Sequence, residues 1–390
     1  IILGIMAYIA AVVIINLMGY PVETKHLVYL SAVTMLFDSL HLTLYGVLRA
    51  IGNLRYEAIG TISSQLITLT LGSIFLYFNL PLIFLILAFT IPSFLNVCFV
   101  TAVLCIKYKI NLTPHFDRSI FLYIGKIALP FALAAVFARV YSYIDSIILS
   151  KLAGDVQVGW YSIPYKITYA FQFVPLALMA ALYPRFSEYF VSNKERLAFI
   201  FERSIKYLLI VVIPLAFGIS VLSQDIVITF FSTEYINSIL PLQILLIGLV
   251  FSYISFPIGA ILNACNRQNT QTVIIGIVMS VNIFLNILLI PKYGVIGAAG
   301  TALLGNILLT TLGYSFVPKI VKISHTFLIK CFFQLLLSAG VMAILVWYVN
   351  QFYHFSLAIV AGAMVYPVML FLTGAITKNQ LKEAILMLRR

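Results

Sequence analysis

The sequence predicts an all-α polytopic membrane protein with about twelve transmembrane spans. Of its 390 residues, 63% are apolar and 9% are charged, against roughly 45–50% and about 25% in an ordinary soluble domain. Uncharged runs such as Leu76–Ile106 and Ile236–Ala264 exceed the roughly 20 residues that cross the hydrocarbon core as a helix. These runs are apolar on every side, whereas the strands of a membrane barrel alternate apolar and polar residues. The spans are therefore expected to be helices.

Apolar length, together with the positions of Gly, Pro, Asn and charged residues, separates the spans in chain order. They are expected near residues 1–20, 26–48, 57–79, 81–106, 127–150, 158–183, 204–223, 236–262, 271–291, 294–316, 327–349 and 354–375. A charged stretch, Pro184–Lys206, lies between the sixth and seventh spans. Its pattern predicts an amphipathic helix at the membrane surface, with a hinge between two halves of the molecule as the alternative.

The Lys and Arg residues predict the orientation of the chain. If the twelve spans alternate in direction, 19 of the 24 basic residues fall on one side and three on the other, while Arg139 and Lys166 lie inside spans. The rich side, which includes the basic C-terminal tail, is expected to be cytoplasmic because cytoplasmic loops carry an excess of Lys and Arg. Membrane topology thus accounts for the net charge of +12, and no nucleic-acid partner is indicated.

Two polar hairpin loops indicate an internal repeat. Leu48–Ala58 and Leu262–Thr272 lie 214 residues apart, and each follows a long span and leads into a pair of helices. The match pairs spans one to four with spans seven to ten and leaves spans five and six without N-terminal counterparts. Because many transporters are built from such repeats, two further helices are expected ahead of Ile1.

The fifth span has one polar face at membrane depth. Arg139, Ser142 and Tyr143 are spaced as neighbours on a helix surface. Arg139 lies close to the bilayer centre, where insertion of Arg costs roughly 2.5–3.5 kcal/mol. The expected role of this face is to line a cavity in which Arg139 meets an anionic substrate. A buried ion pair or snorkelling of the side chain is the structural alternative.

The sixth span has a broad polar and aromatic side that includes Tyr165, Tyr169 and Gln172. An aromatic ring with a polar tip suits the stacking and hydrogen bonding of sugars, so Tyr169 and Gln172 are expected in the same cavity. Lys166 is a second candidate cation. Tyr161 is expected instead in the belt of tyrosines at the membrane interface.

Two carboxylates inside spans are candidates for ion coupling. Asp145 is expected nearer the outer surface than Arg139 and on a different face, where an ion pair with Lys166 is preferred over a coupling role. Asp38, with His41 one turn later, could carry a coupling proton, and an inter-helix hydrogen bond is at least as good an interpretation.

Several motifs that would indicate an enzyme or a cofactor are missing from the sequence. It contains no GxxxxGK[ST] loop, no HExxH motif and no cluster of Cys and His residues. No cofactor or metal is therefore expected, and transport would not be driven by ATP bound to this chain. A membrane-embedded glycosyltransferase or polymerase is a distant alternative, because the short outer loops leave little room for a catalytic site.

Four segments resemble polysaccharide flippases. Arg139–Gly154 and Val158–Lys166 look like the seventh and eighth helices of Wzx-type exporters in the multidrug/oligosaccharidyl-lipid/polysaccharide superfamily, and Leu182–Ser187 and Gly294–Ala302 are similar to segments of the same family. The resemblance implies a two-lobe helical bundle of the MOP/MATE-like type that works by alternating access. On that template the chain provides helices three to fourteen of an expected fourteen.

The resemblance also implies a division into domains. Residues 1–110 would be a truncated N-terminal lobe, residues 111–320 the C-terminal lobe, and residues 321–390 two additional helices with a basic cytoplasmic tail.

The function implied by the resemblance is export of a polyprenyl-diphosphate-linked oligosaccharide across the cytoplasmic membrane, for surface polysaccharides such as O-antigen or lipopolysaccharide. The diphosphate would seek a cation such as Arg139, and H⁺ or Na⁺ would be the coupling ion. The protein would act as a monomer among membrane lipids, alongside glycan-assembly enzymes. A MATE-like drug/cation antiporter and a cell-wall precursor flippase are the alternatives within the superfamily.

Overall fold

The computed structural model describes residues 2–51, 53, 55–112 and 117–376, and the regular secondary structure in this part of the chain is helical. The α-helices are α1 (Ile2–Leu17), α2 (Val22–Ala50), α3 (Arg55–Tyr77), α4 (Leu82–Ala102), α5 (Arg118–Ala153), α6 (Asp155–Ala170), α7 (Phe173–Ser192), α8 (Lys194–Val221), α9 (Ser223–Phe231), α10 (Ile239–Ala264), α11 (Gln268–Phe316), α12 (His325–Phe352) and α13 (Phe355–Leu372).

The predicted all-α membrane fold is confirmed. Ten helical segments of the described chain are long and apolar enough to cross a membrane. The longest, Gln268–Lys319, is bent at Gly294, whose φ of 54° is a left-handed conformation that favours glycine. If this segment is counted as two spans and the shorter apolar helix α1 is added, the total is the predicted twelve.

The predicted surface helix over Pro184–Lys206 is wrong. The chain there consists of the end of α7 and the beginning of α8, joined at Asn193. Asn193 has an extended backbone, and its side-chain oxygen accepts a hydrogen bond from the backbone N–H of Arg196 at 2.9 Å. The physical reason is that Asn favours the N-terminal cap of a helix, so a new helix begins directly after Asn193. The charged residues lie on the ends of the two flanking membrane helices, which extend beyond the apolar region.

The chain divides into two compact units, Ile1–Asp117 and Arg118–Arg390, called unit 1 and unit 2 below. In unit 1, α2 packs against α1 and α4, and α3 packs against α4. In unit 2, α10 packs against α8 and α11, α5 lies along α11, and α12 packs against α8 and α13. The finer division into three domains stays a prediction, and the basic tail over 377–390 lies outside the described residues.

Three prolines of unit 2 are each matched by a hydroxyl group from a neighbouring helix or turn. A proline cannot donate a backbone hydrogen bond to the carbonyl four residues earlier, and the membrane interior offers no water to replace it. Each carbonyl that lacks its helical donor accepts a hydrogen bond from a side-chain hydroxyl, at 2.6, 2.7 or 2.9 Å. The bonds run from Tyr253 to Phe171, from Ser238 to Trp160 and from Tyr366 to Ile210, ahead of Pro175, Pro164 and Pro214 respectively.

The two loops of the predicted repeat form the same backbone hydrogen bonds. After α2, the N–H groups of Ile51 and Asn53 donate to the carbonyls of Val47 and Leu48. After α10, the N–H groups of the residues 214 positions later, Cys265 and Arg267, donate to the carbonyls of Ile261 and Leu262. The equivalence of these turns supports the pairing of α2 and α3 with α10 and the first half of α11.

Candidate functional site

The centre of the candidate site in unit 2 is Asp145 on α5, which is only 5% exposed. The Tyr161 hydroxyl on α6 donates to its Oδ2 at 3.0 Å. Asn286 on α11 donates from Nδ2 to its Oδ1 at 2.6 Å, and the same amide nitrogen lies 3.0 Å from Oδ1 of Asn282. Three helices are thus joined around one buried carboxylate.

The preferred ion pair between Asp145 and Lys166 is wrong. The carboxylate is surrounded by neutral donors, and Lys166 is exposed. The reason is helical geometry: Lys166 follows Tyr161 by five residues, which places the two side chains about 140° apart around α6. Since Tyr161 faces Asp145, Lys166 points away from it.

A small cavity of about 90 Å³ adjoins Asp145. Four predicted site residues line it, namely Ser142, Asp145, Tyr169 and Gln172. Gln172 is positioned by the break between α6 and α7, where Tyr253 donates to the carbonyl of Phe171. The volume suits a few water molecules or a small cation, and it is too small for a sugar ring.

Three buried polar atoms near this carboxylate make no hydrogen bond within the described chain: Tyr141 Oη, Asn282 Nδ2 and Asn286 Oδ1. Tyr141 lies one turn before Asp145 on α5, and the two asparagines lie on α11. Unsatisfied polar atoms are rare in protein interiors and call for an explanation such as a bound water or ion. Two of the three, Tyr141 Oη and Asn286 Oδ1, are oxygens that can accept a hydrogen bond from a water or ligate a small cation beside the carboxylate, whereas Asn282 Nδ2 can only donate.

A ladder of tyrosine rings lies beside the cavity. Tyr165 and Tyr169 are stacked with ring centroids 5.8 Å apart and an interplanar angle of 16°, and the ring of Tyr143 is tilted at 6.3 Å from Tyr165. Tyr143 is 45% exposed and Tyr169 is 50% exposed. These three residues, called the tyrosine platform below, present open aromatic surface on the membrane-crossing helices α5 and α6.

The two cations inside the spans are exposed and do not line the cavity. Arg139 lies one helical turn before Tyr143 on α5. Within the described residues, neither Arg139 nor Lys166 forms a salt bridge. The role of Arg139 as a substrate-contacting cation stays a prediction, and the geometry places this cation beside the tyrosine platform.

Unit 1 contains the other intramembrane carboxylate, Asp38 on α2. The hydroxyl of Ser93 on α4 donates to Asp38 Oδ1 at 2.6 Å, so the interpretation as an inter-helix hydrogen bond is confirmed. His41 Nδ1 lies 3.7 Å from the same oxygen. Both side chains line a groove of about 620 Å³ between α2, α3 and α4. The role of Asp38 in proton coupling stays a prediction.

The sequence analysis missed three residues of the unit 2 site. Asn282 and Asn286 are fully buried on α11, and their spacing of four residues in an otherwise apolar span was a usable signal. Tyr161 was expected in the interfacial belt and is 1% exposed instead. This expectation is wrong because the hydroxyl of Tyr161 has a buried acceptor in Asp145.

Comparison with protein families gives two matches. A model described as MatE matches residues 130–288, which include Arg139, Asp145 and the tyrosine platform. A model described as "Polysaccharide biosynthesis protein" matches residues 1–190.

Three curated proteins illustrate the similarity. The chain is 30% identical over 229 residues to an uncharacterized membrane protein of Methanocaldococcus jannaschii, covering 57% of this chain and 43% of that protein. It is 26% identical over 253 residues to the "Probable low-salt glycan biosynthesis flippase Agl15" of Haloferax volcanii, covering 63% and 53%. It is 24% identical over 273 residues to the lipid II flippase MurJ of Bacillus subtilis, covering 66% and 50%. The chain thus spans about half the length of these relatives.

Solved structures share the fold. An inward closed conformation of the lipid II flippase MurJ matches with a TM-score of 0.76 at 22% identity, covering 94% of this chain and 79% of that one. An inward-facing multidrug resistance MATE family transporter matches with a TM-score of 0.70 at 15% identity, covering 81% and 78%. The family models, the flippase relatives and this fold together support placing the chain in the multidrug/oligosaccharidyl-lipid/polysaccharide superfamily of membrane transporters and flippases.

Proposed function

We propose that the protein moves a polyprenyl-diphosphate-linked oligosaccharide from the inner to the outer leaflet of the cytoplasmic membrane by alternating access. The observation that carries this proposal is the tyrosine platform, one helical turn from Arg139 on helices that cross the membrane. The name of one relative includes glycan biosynthesis and that of another includes lipid II, and both are called flippases. The orientation follows the charge asymmetry, with the C-terminus on the cytoplasmic side.

The platform and the cation match the two chemical parts of such a headgroup. A sugar ring has apolar C–H faces and polar edges, so it can stack on Tyr169 while the phenol groups meet its hydroxyls. The guanidinium of Arg139 is always protonated and offers a planar fork of donors to a phosphate. Because Arg139 is not engaged in a salt bridge within the described residues, it is available to an anionic ligand.

Asp145 is the proposed coupling residue. The adjoining cavity of about 90 Å³ has room for H⁺ or Na⁺ with water but not for the glycan. Binding of a cation would cancel the charge of a carboxylate that three helices share, and so would alter how α5, α6 and α11 are held together. A cation that binds one conformation more tightly than the other shifts the transporter toward that conformation.

The MatE match over residues 130–288 favours a second candidate, a drug/cation antiporter, and the MurJ relative favours a cell-wall precursor flippase. Expression of the gene in a strain that lacks its glycan exporter separates these functions. Restored surface glycan supports the first proposal, whereas drug resistance without surface glycan supports the antiporter. Rescue of a strain depleted of its lipid II flippase supports the cell-wall function.

Substitution of Arg139 tests the substrate contact. Arg139→Ala is expected to abolish export per molecule of inserted protein, because it removes the phosphate-binding group. Arg139→Lys should retain partial export, because lysine keeps the charge and loses the planar fork. The measurement is surface glycan divided by the amount of protein in the membrane, with Lys322→Ala, an exposed cation outside the site, as the control. Export by Arg139→Ala at the wild-type rate would show that Arg139 does not contact the substrate.

A further inference from the structure

Unit 2 contains a second cleft, called the α8/α12 cleft below, which is separate from the cavity beside Asp145. It lies between α8, α10, α11 and α12 and has a volume of about 340 Å³, within the roughly 300–1,000 Å³ of small-molecule sites. Its lining includes Leu209, which is 2% exposed, and Phe333, which is 65% exposed. The cleft therefore reaches from the outer surface of the helices into the core of unit 2.

The interior of this cleft is apolar even where hydroxyl groups line it. The Thr310 hydroxyl donates to the carbonyl of Phe251 at 2.8 Å, and the Thr311 hydroxyl donates to the carbonyl of Ile307 at 2.8 Å. Because both hydroxyl protons are used within the protein, these two residues add no free donor to the aliphatic and aromatic walls. A hydrocarbon chain suits such an interior, and a polar solute does not.

One end of the cleft is polar and lies where two spans end. Tyr314 is in the last turn of α11, and His325 is the first residue of α12. The Tyr314 hydroxyl and Nδ1 of His325 are 2.8 Å apart. Because the membrane-crossing segments Gln268–Lys319 and His325–Phe352 meet at this end, it lies at the level of the lipid headgroups.

A carboxylate adjoins the polar end. Glu202 on α8 comes three residues before Ile205, which lines the cleft, so the two side chains are neighbours on one helix face. Its Oε1 accepts a hydrogen bond from the backbone N–H of Ser324 at 2.7 Å, directly before His325. Within the described chain Glu202 forms no salt bridge. One carboxylate oxygen therefore remains for a further donor.

The adjacent cation, Arg203, does not neutralise this carboxylate. On a helix Arg203 and Ile205 are 200° apart, so the arginine points away from the cleft. Its guanidinium lies 5.1 and 5.0 Å from the ring centroids of Phe199 and Phe327, where cation–π attraction holds it.

We infer that the α8/α12 cleft binds an aminophospholipid of the phosphatidylethanolamine type, with an acyl chain in the apolar interior and the ammonium group on Glu202. A primary ammonium offers three N–H donors to a carboxylate. The quaternary ammonium of phosphatidylcholine offers none. The polyprenyl diphosphate of the proposed substrate is anionic and would be repelled by Glu202, so this lipid site is additional to the transport site.

An anionic phospholipid is the competing occupant, because the turn between α11 and α12 carries the exposed cations Lys319 and Lys322. Attraction between exposed charges is screened over about 8 Å at physiological salt. A headgroup that enters the polar end meets Glu202 directly, and an anionic one would place like charges side by side. Phosphatidylethanolamine is therefore expected to bind more tightly than phosphatidylglycerol.

Native mass spectrometry of the purified protein tests the headgroup preference. Phosphatidylethanolamine, phosphatidylcholine and phosphatidylglycerol with identical acyl chains are titrated separately. The first phosphatidylethanolamine is expected to bind with a Kd about tenfold lower than the other two, as follows from one hydrogen bond to a charged group. Glu202→Gln keeps an acceptor for the Ser324 N–H and loses the charge, so it should remove the preference. Glu195→Gln, an exposed residue in the first turn of α8, is the control.

A blocking substitution tests whether the acyl chain enters the cleft. Ile329 lines the cleft and is 57% exposed, so Ile329→Trp should fit and raise the Kd for phosphatidylethanolamine about tenfold with Glu202 intact. Ile344→Trp, at a position 70% exposed on the same helix and outside the cleft, is the control. Unchanged midpoints of thermal unfolding show that the variants are folded.

Equal affinity for the three headgroups would overturn the inference, and so would a preference for phosphatidylglycerol. A preference for phosphatidylethanolamine that survives both Glu202→Gln and Ile329→Trp would also overturn it, because the lipid would then bind elsewhere. None of these results depends on which substrate the protein transports.

Discussion

The two intramembrane carboxylates show how differently the two units handle a charge at membrane depth. Asp145 in unit 2 is 5% exposed and accepts hydrogen bonds from Tyr161 and Asn286. The side chain of Asp38 in unit 1 is 46% exposed and accepts one hydrogen bond, from Ser93. The adjoining spaces measure about 90 Å³ and 620 Å³. A carboxylate enclosed by three helices contributes to holding them together, whereas a carboxylate in an open groove is available to an incoming group.

The largest expected effect concerns these two residues. Asp145→Ala leaves the Tyr161 hydroxyl and the Asn286 amide buried without their acceptor, which should lower the free energy of unfolding by about 2–3 kcal/mol. Asp38→Ala should lower it by less than about 1 kcal/mol, because a single hydrogen bond is lost beside an open groove. The midpoints of thermal unfolding in detergent measure both changes. Equal losses would show that the contrast between the two units does not extend to stability.

The second prediction sharpens the contrast within unit 1. A Cβ at Gly60 would lie 2.6 Å from Asn96 Oδ1 and against the hydroxyl of Tyr45, two groups that are hydrogen-bonded to each other. Gly60→Ala is therefore expected to lower the free energy of unfolding by about 1–3 kcal/mol. At Gly72, twelve residues further along α3, an added Cβ meets no atom within 4 Å, so Gly72→Ala should be neutral or stabilising by up to about 1 kcal/mol. Thermal unfolding of the two variants side by side makes the comparison, and similar midpoints would contradict it.

Most of the fold could be predicted from the sequence because the membrane imposes simple rules. Long apolar runs gave the spans, and the polar turns at Leu48–Ala58 and Leu262–Thr272 gave a repeat that the backbone hydrogen bonds support. The prediction of a surface helix over Pro184–Lys206 was wrong because the charged residues there were taken as its sign. In the structure, Asn193 joins two membrane helices that extend past the apolar region. Hydrophobicity does not distinguish a surface helix from the adjoining ends of two membrane helices, whereas a capping residue between them does.

The candidate site was predicted less well, because polar pairing depends on which faces of helices meet. Ser142, Asp145, Tyr169 and Gln172 do line one cavity, since polar residues on adjacent membrane helices share an interior face. Opposite charge suggested Lys166 as the partner of Asp145, and the structure provides Tyr161 and Asn286. The contact between α5 and α11 joins residues 141 positions apart in the chain, and a single sequence contains no signal that selects it.

The smallest expected effect concerns the hydroxyl groups that accompany the prolines in unit 2. Tyr253 is fully buried, and its hydroxyl donates at 2.6 Å to the carbonyl of Phe171, which Pro175 leaves without a helical donor. Tyr253→Phe removes the donor and leaves the ring in place. The backbone N–H of Val174 still reaches the same carbonyl at 3.3 Å, so the loss should be limited to about 0.5–1.5 kcal/mol, within the range of hydrogen bonds between membrane helices. Tyr207→Phe is the matched control, because Tyr207 is 49% exposed on α8. A fall in the thermal midpoint for Tyr253→Phe and no change for Tyr207→Phe would show that the hydroxyl stabilises the break between α6 and α7, next to the tyrosine platform. Identical midpoints would mean that the freed carbonyl needs no second donor, and the pairing of prolines with hydroxyl groups would then have no energetic role.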